Sequence, residues 1–410
     1  MAKKYIHGIR AAIVLAAALG FSAPAVYATQ FGIYYALWHC PESRVNLGHD
    51  PYDVTKILSG KGDWGPVGAW HWHGKPALGY YCLSKDDSVL SKHAEMLRDA
   101  GIDFVYLDIT NWGVVAASDR VNEMILQPLE RLLPVWSKVP GAPKVVPWFP
   151  LTANADVPDA VLARMEKYPG MRFMFKGKPL ILVVDNSVFV PDSARIAALE
   201  KKYTVRKMWA DITQKTSNWS FQQWCYEPSP YSHAFLASAG ARECNQLYWT
   251  GYNGEAISVS SAYQGYGSPD GFISDRRYGV PKLGGRTFVQ QFKTLLKYPD
   301  VPIALLSTWN EWLAIRFCYS PIQQSAAGCK TDIVPDGENN RGFVDEYNAD
   351  YNKDLEPAAD GYGDFYYRLM KHCIAKFKNG RQPCAVSDVR YRLPPASAEL
   401  QKASSPGPSR

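Results

Sequence analysis

Eight short apolar runs recur along the chain: "FGIYYALW" (31–38), "ALGYYC" (77–82), "IDFVYLDI" (102–109), "KVVPWF" (144–149), "PLILVVDN" (179–186), "VRKMWAD" (205–211), "AISVSSAY" (256–263) and "VPIALLSTW" (301–309). Each has the length and the β-branched or aromatic content of a strand. Between several of them lie amphipathic stretches such as "SVLSKHAEMLRDAG", closed by a glycine, and "VNEMILQPLERLLPVWSK". Strand and helix alternating in this way demand a parallel sheet, because each crossover must return to the same edge. Eight such units predict a TIM-type (β/α)8 barrel in one large domain with extended βα loops, with a doubly wound sheet as the competing arrangement.

The ends of the chain read differently from the middle. Residues 1–28 carry Lys3, Lys4 and Arg10, then the apolar run "AAIVLAAALGF", then a small-residue exit at Ala28, the pattern of a secretory signal. The barrel domain is expected over 29–393, and "PPASAELQKASSPGPSR" (394–410) as a disordered tail. No later stretch has the run of about 18 apolar residues that a membrane helix needs. An exported protein, periplasmic or extracellular, follows, with no membrane attachment once the signal is cleaved. Losing Lys3, Lys4 and Arg10 takes the formal charge from +6 to +3, which disfavours a nucleic-acid partner. The 8 cysteines show no CxxC spacing, and in an oxidising compartment an even number suggests disulfides. Sequence neighbours pair 225 with 244, 318 with 329 and 373 with 384, leaving Cys40 for Cys82.

In a barrel, function collects where the strands end. Nearly every predicted ending here is a carboxylate, an amide or an aromatic. Trp38-His39 end the first run, which also carries Tyr34, and Tyr80-Tyr81 stand near the end of the second; Asp108, Asn111 and Trp112 follow the third. Trp148, Asp185, Asp211 and Gln264 close the next four, and Trp309, Asn310, Glu311 and Trp312 close the last. Carbohydrate sites need this mixture, since sugar rings lie on aromatic faces while Asp, Asn and Gln take the hydroxyls. A total of 13 Trp and 25 Tyr supplies the aromatic half of it. Any one of these residues is as readily core or helix cap; the argument is their coincidence at one end. His71 and His73 fall on one side of an extended "HWH". Without an evident third ligand no metal and no cofactor is assigned, and His71 is read as a substrate contact. "YNADYNKDLE" (347–356) spaces oxygen side chains as calcium loops do, but it lacks the glycine of an EF-hand turn and reads as a solvated polar loop.

Four stretches carry a family resemblance: "GYYCLSKDDSVLSKHAEMLRDAGIDFVYLDITNW", "FKGKPLILV", "STWNEW" and "DLEPAADGYGDFYYRLM". In this order they resemble the endo-α-mannosidase-like glycoside hydrolases, family ninety-nine, and their relatives encoded in bacterial polysaccharide clusters. The resemblance implies a (β/α)8 barrel glycosidase with a polysaccharide or oligosaccharide as its partner. It also implies a second glutamate three residues after Glu311, serving as general acid. This chain has Ala314 there, and some forty residues separate the box from Asp354-Leu355-Glu356-Pro357.

Glycoside cleavage takes two carboxyl groups. Glu311 is one; flanking indoles would take it out of water, which suits an acid, while the resemblance would place it near the sugar's 2-hydroxyl. Asp108 leads as its partner, then Glu356 at the Leu-Glu-Pro position, with Asp185 and Asp211 as competitors. Two other classes stay open: a non-catalytic carbohydrate-binding protein on a degenerate hydrolase barrel, and a metal-dependent deacetylase or esterase built on His71 and His73. A monomer is expected.

Overall fold

The computed structural model describes residues 28–39, 52–61, 70–110, 121–153, 156–185, 189–209, 218–221, 254–262, 265–268, 271–273, 282–318, 341–343 and 352–391. Its strands are β1 (Gln30–Ala36), β2 (Trp70–Trp72), β3 (Phe104–Asp108), β4 (Lys144–Phe149), β5 (Met174–Phe175), β6 (Lys178–Val184) and β7 (Thr204–Met208). They continue with β8 (Ala256–Val259), β9 (Gly265–Ser268), β10 (Gly271–Ile273), β11 (Ile303–Leu306), β12 (Leu313–Cys318) and β13 (Arg341–Phe343).

The main sheet is curled and mixed. Its parallel strands run β7-β6-β4-β3-β1-β11-β8, with the short β5 antiparallel to the start of β6. From β1 outward through β3, β4, β6 and β7 the order is that of the chain, and β11, the last parallel strand, returns to the other side of β1. Such a sequential order with first and last strands adjacent is the order of a parallel barrel. Among the described residues no pairing joins β7 to β8, so the sheet stands as a curled part-barrel. β1 is buried on both faces after its first residue, as a central parallel strand must be. Its Gly32 has a reason: a Cβ there would collide with the Phe104 ring of β3.

Seven of the eight predicted strands are present. The exception is 77–82. Gly79 takes a left-handed φ of 87° and its N–H turns back to Pro76 O, so this aromatic-rich stretch is a turn. Its two tyrosines are held by hydroxyl bonds to residues far away in the chain, Tyr80 to Asp53 and Tyr81 to Glu356.

The helices lie where the periodicity puts them. Asp87–Asp99 buries Val89, Leu90, His93, Ala94 and Leu97, one face at i, i+3, i+4 spacing, and ends before Gly101 at φ 83°. Gln127–Trp136 follows a π-turn at Asn122–Leu126, and its Trp136 indole donates to Leu90 O, pinning the two helices together. The last helix, Phe365–Lys378, is tied at Cys373 to Cys384, the disulfide expected from their spacing. Cys82 is also disulfide-bonded, to a partner whose side chain is not among those described; Cys40, Cys225, Cys244 and Cys329 lie outside the described residues. So do residues 1–27 and the tail from 392. No helix among the described residues is long and apolar enough to cross a membrane.

Candidate active site

The segment Ser307–Trp312 leaves β11 at its carboxyl end and runs into β12, so its shape is fixed at both ends. Trp309 N–H still pairs with Tyr34 O of β1. Beyond it the Asn310 side chain takes over the ladder, accepting Ala36 N–H (2.8 Å) and donating to Ala36 O (3.2 Å). On the other flank 352–356 lies alongside: Leu355 N–H reaches Thr308 O and Glu356 N–H reaches Trp309 O. The expectation of a solvated loop there is wrong. Asn352, Lys353, Asp354, Leu355 and Glu356 are all buried, because backbone pairing to 308–309 draws them against the sheet's mouth.

That pairing delivers charge to Glu311. Its Oε2 lies 3.2 Å from Lys353 Nζ, a buried ion pair. Its backbone N–H donates to Asp354 Oδ1 at 2.6 Å. Its Oε1 lies 3.1 Å from the Tyr34 hydroxyl, which is 2.5 Å from Asp108 Oδ2. Asp108 Oδ1 accepts the Thr110 N–H. Burial pushes the Asp108 carboxyl up from 3.8 to about 6, against the pull of hydrogen bonds from Tyr34 and Thr110, and the Glu311 charge adds to the rise.

A phenol has one hydrogen and cannot donate to two carboxylates at once. Both contacts of Tyr34 are satisfied when Asp108 is protonated and donates to the phenol oxygen, while Tyr34 donates to Glu311. The raised Asp108 pKa and the Lys353 ammonium beside Glu311 favour this same arrangement. Beneath the pair, Tyr34, Tyr106, Trp148 and Phe221 turn their rings toward one another on the concave side, with centroids 5.1–6.4 Å apart.

Glu311 does not sit between two indoles as its neighbours suggested. Trp309 packs on His93 and Tyr367 in the helical layer, and Trp312 turns its Nε1 to Glu356 Oε2 at 2.6 Å. Glu356 is thereby clamped: Tyr81 OH also donates to Oε2 (2.8 Å) and His93 Nε2 lies 2.9 Å from Oε1. His93 Nδ1 meets Tyr35 OH at 2.8 Å, so a single tautomer serves both contacts. Ala314, where the resemblance places an acid, pairs opposite His71 in the β2–β12 ladder.

The other predicted contacts scatter. Trp148 is in the aromatic floor. Asp185, at the end of β6, engages Asn218 and Lys207. Tyr80 reaches Asp53 at 2.5 Å, away from Glu311. His71 is buried and stacks on Tyr52, and burial together with the charges of His71 and Lys353 lowers the pKa of His73 well below its usual value. Among the described residues no group of three His, Cys, Asp or Glu is placed to hold a metal. Asn111, Trp112, Asp211 and Gln264 lie outside the described residues.

No family model matches the chain, and no curated protein does. Its structural neighbours include a family 99 endo-α-mannosidase from Bacteroides thetaiotaomicron, with 14% identity, a TM-score of 0.43, and coverage of 86% of this chain and 98% of that one. A second structure of that enzyme, with bis-tris propane, gives 12%, 0.43, 87% and 99%. A glycoside hydrolase-like protein gives 12%, 0.46, 85% and 94%. These likenesses are loose, and the chemistry of the site stands on its own residues.

Three site residues escape the reading of strand ends. Lys353 and Asp354 were legible only as neighbours of the Leu-Glu-Pro segment. His93 had a clearer signal: it falls with Leu90, Ala94 and Leu97 on the apolar face of its helix, where a titratable side chain needs a buried partner.

Proposed function

We propose that this chain is an exported glycoside hydrolase, built on a (β/α)8-type barrel, that acts on a polysaccharide or oligosaccharide through Asp108 and Glu311. The observation that carries the reading is the single Tyr34 hydroxyl set between the two carboxyl groups at the carboxyl ends of β1, β3 and β11. Asp108, with a pKa near 6, holds the proton that a leaving glycosidic oxygen needs. Glu311, ion-paired with Lys353, is the anionic partner that attacks the anomeric carbon or activates water. Tyr34 accepts from Asp108 and donates to Glu311, orienting both, and the Asp108 proton goes to the leaving oxygen.

Both carboxylate oxygens lie within hydrogen-bonding reach of one atom, at 2.5 and 3.1 Å. Inverting pairs stand about 6.5–9.5 Å apart and retaining pairs about 5–5.5 Å, so the geometry favours retention. Glu356, with its oxygens already bound by Tyr81, Trp312 and His93, supports the site without reacting.

The test is a panel of bacterial exopolysaccharides incubated with the protein and weighed by mass spectrometry, alongside Asp108→Asn and Glu311→Gln. On an aryl glycoside, whose leaving group needs no acid, the Asp108→Asn defect should be largely hidden; on the natural glycan it should be severe. Glu311→Gln should be slow on both. Uniform defects would remove Asp108 as the acid. A second reading, a sugar-binding protein without turnover, is favoured by the closed Asp108–Tyr34–Glu311 chain, which leaves both carboxyl groups buried. Binding without new reducing ends would establish it.

A further inference from the structure

A cavity of about 210 Å³ opens on the far side of the box, where Glu311 turns to Tyr34 while the next residue, Trp312, faces the other way. Its wall includes His73, Trp312, Lys282, Asp354, Tyr362 and Tyr366. We infer that this cavity is a subsite for one uncharged pyranose residue, seated on Trp312 and hydrogen-bonded to Asp354. The inference deepens the carbohydrate reading above and rests on it for the ligand class.

Asp354 is the decisive side chain. Its Oδ1 is taken by the Glu311 N–H, but Oδ2 is buried with no hydrogen-bond partner. A buried carboxyl oxygen left unmatched in a cavity wall asks for a ligand hydroxyl. Burial, reinforced by the Glu311 charge, raises the Asp354 pKa to about 7, so near neutrality it serves as donor or acceptor, as a sugar hydroxyl can. Lys282 Nζ is fixed by Asn352 Oδ1 (2.5 Å) and Asp354 O (3.1 Å) and lies 4.4 Å from the centre of the Tyr366 ring.

The wall excludes other ligand classes. The Lys282 ammonium repels a cation, and among the described residues no group of three His, Cys, Asp or Glu is placed to hold a metal. The Glu356 and Asp360 carboxylates repel an anion. An apolar molecule would leave Asp354 Oδ2 unmatched. A neutral polyol with one apolar face satisfies indole, carboxyl and amine together, and the volume has room for one ring. Because Asp354 also holds the Glu311 backbone, occupancy fixes the position of a sugar residue relative to the reacting pair.

The test titrates the full chain with uncharged methyl glycosides of the common hexoses and of N-acetylglucosamine, by calorimetry and tryptophan fluorescence. At least one should bind saturably in the millimolar range and change the Trp fluorescence. Ala358→Trp, which fills the cavity, and Asp354→Asn should each weaken binding at least about tenfold, with the far-ultraviolet dichroism of the wild type. If Ala358→Trp does not fold, Asp354→Asn decides. No saturable binding, or binding that neither variant alters, overturns the subsite. Cleavage of a glycan with KM unchanged in both variants would remove the subsite and leave the hydrolase. Cavity-dependent binding without cleavage of any glycan would do the reverse.

Discussion

Replacing Glu311 by Gln tests the proposed chemistry and the stability together, because the same carboxylate is the proposed reacting anion and one half of a buried ion pair. It lies against Lys353, whose side chain is 0% exposed, and is itself 8% exposed. Removing one member of a buried ion pair costs about 3–5 kcal/mol, since the other charge has lost the interaction that offset its desolvation. The lower end, about 3 kcal/mol, applies here: part of the rise in the Asp354 pKa comes from Glu311 itself, so without that charge Asp354 ionises more readily and takes over some of the compensation. Lys353→Met should cost a similar amount by stranding Glu311. The double variant, which buries neither charge, should recover most of the loss, giving a coupling of about 3 kcal/mol or more. Urea unfolding at neutral pH measures all four corners of the cycle. If the two losses simply add, the pair contributes no coupling and the charge assignment at the site is wrong. Under conditions where Glu311→Gln is folded, its turnover should fall by at least about 10³-fold.

Asp108 and Asp354, at about 6 and about 7 instead of 3.8, bind protons more tightly in the folded state. Their stabilising contribution is therefore full below about pH 4 and is lost as pH rises through 6 and 7; the Asp108 share is on the order of 3 kcal/mol, and Asp108→Asn should flatten that part of a pH series of urea midpoints. The same titration predicts that cleavage slows above about pH 6 as Asp108 loses its proton, with no such limb on an aryl glycoside. Peptide mapping without reduction should link Cys373 to Cys384, and reducing this short loop should cost about 2–3 kcal/mol in thermal unfolding. Gly32→Ala should destabilise by about 1–3 kcal/mol or more, since its methyl would meet the Phe104 ring; an unchanged melting temperature would mean that β1 and β3 are not in this register.

The parallel strands were legible because buried parallel strands are apolar on both faces and announce themselves as continuous runs. The same criterion fails at 77–82, whose aromatics are buried by hydroxyl bonds to Asp53 and Glu356, partners that no local pattern names. β2 was missed for the complementary reason: three residues are too few for a period, and it exists because β12 pairs with it. At the site, Glu311 and Asp108 were readable as strand-end carboxylates. Their joining through Tyr34 depends on adjacent registers of β1, β3 and β11, which sequence spacing does not encode. The clamp on Glu356 was invisible in the same way, since its donors come from positions 81, 93 and 312.

The backbone pairing of 352–356 with 308–309 also separates two problems, holding the buried charges at the box and spanning the chain between them. Asp354 and Glu356 are held by ladder bonds and buried partners at the box, not by the length of chain that connects them to β12. Closing a loop costs only about 0.6 kcal/mol for each doubling of its length. Lengthening or shortening the chain between 343 and 352 should therefore leave Lys353 beside the same carboxylate. Such changes alter what surrounds Glu311 without rebuilding the charges packed against it.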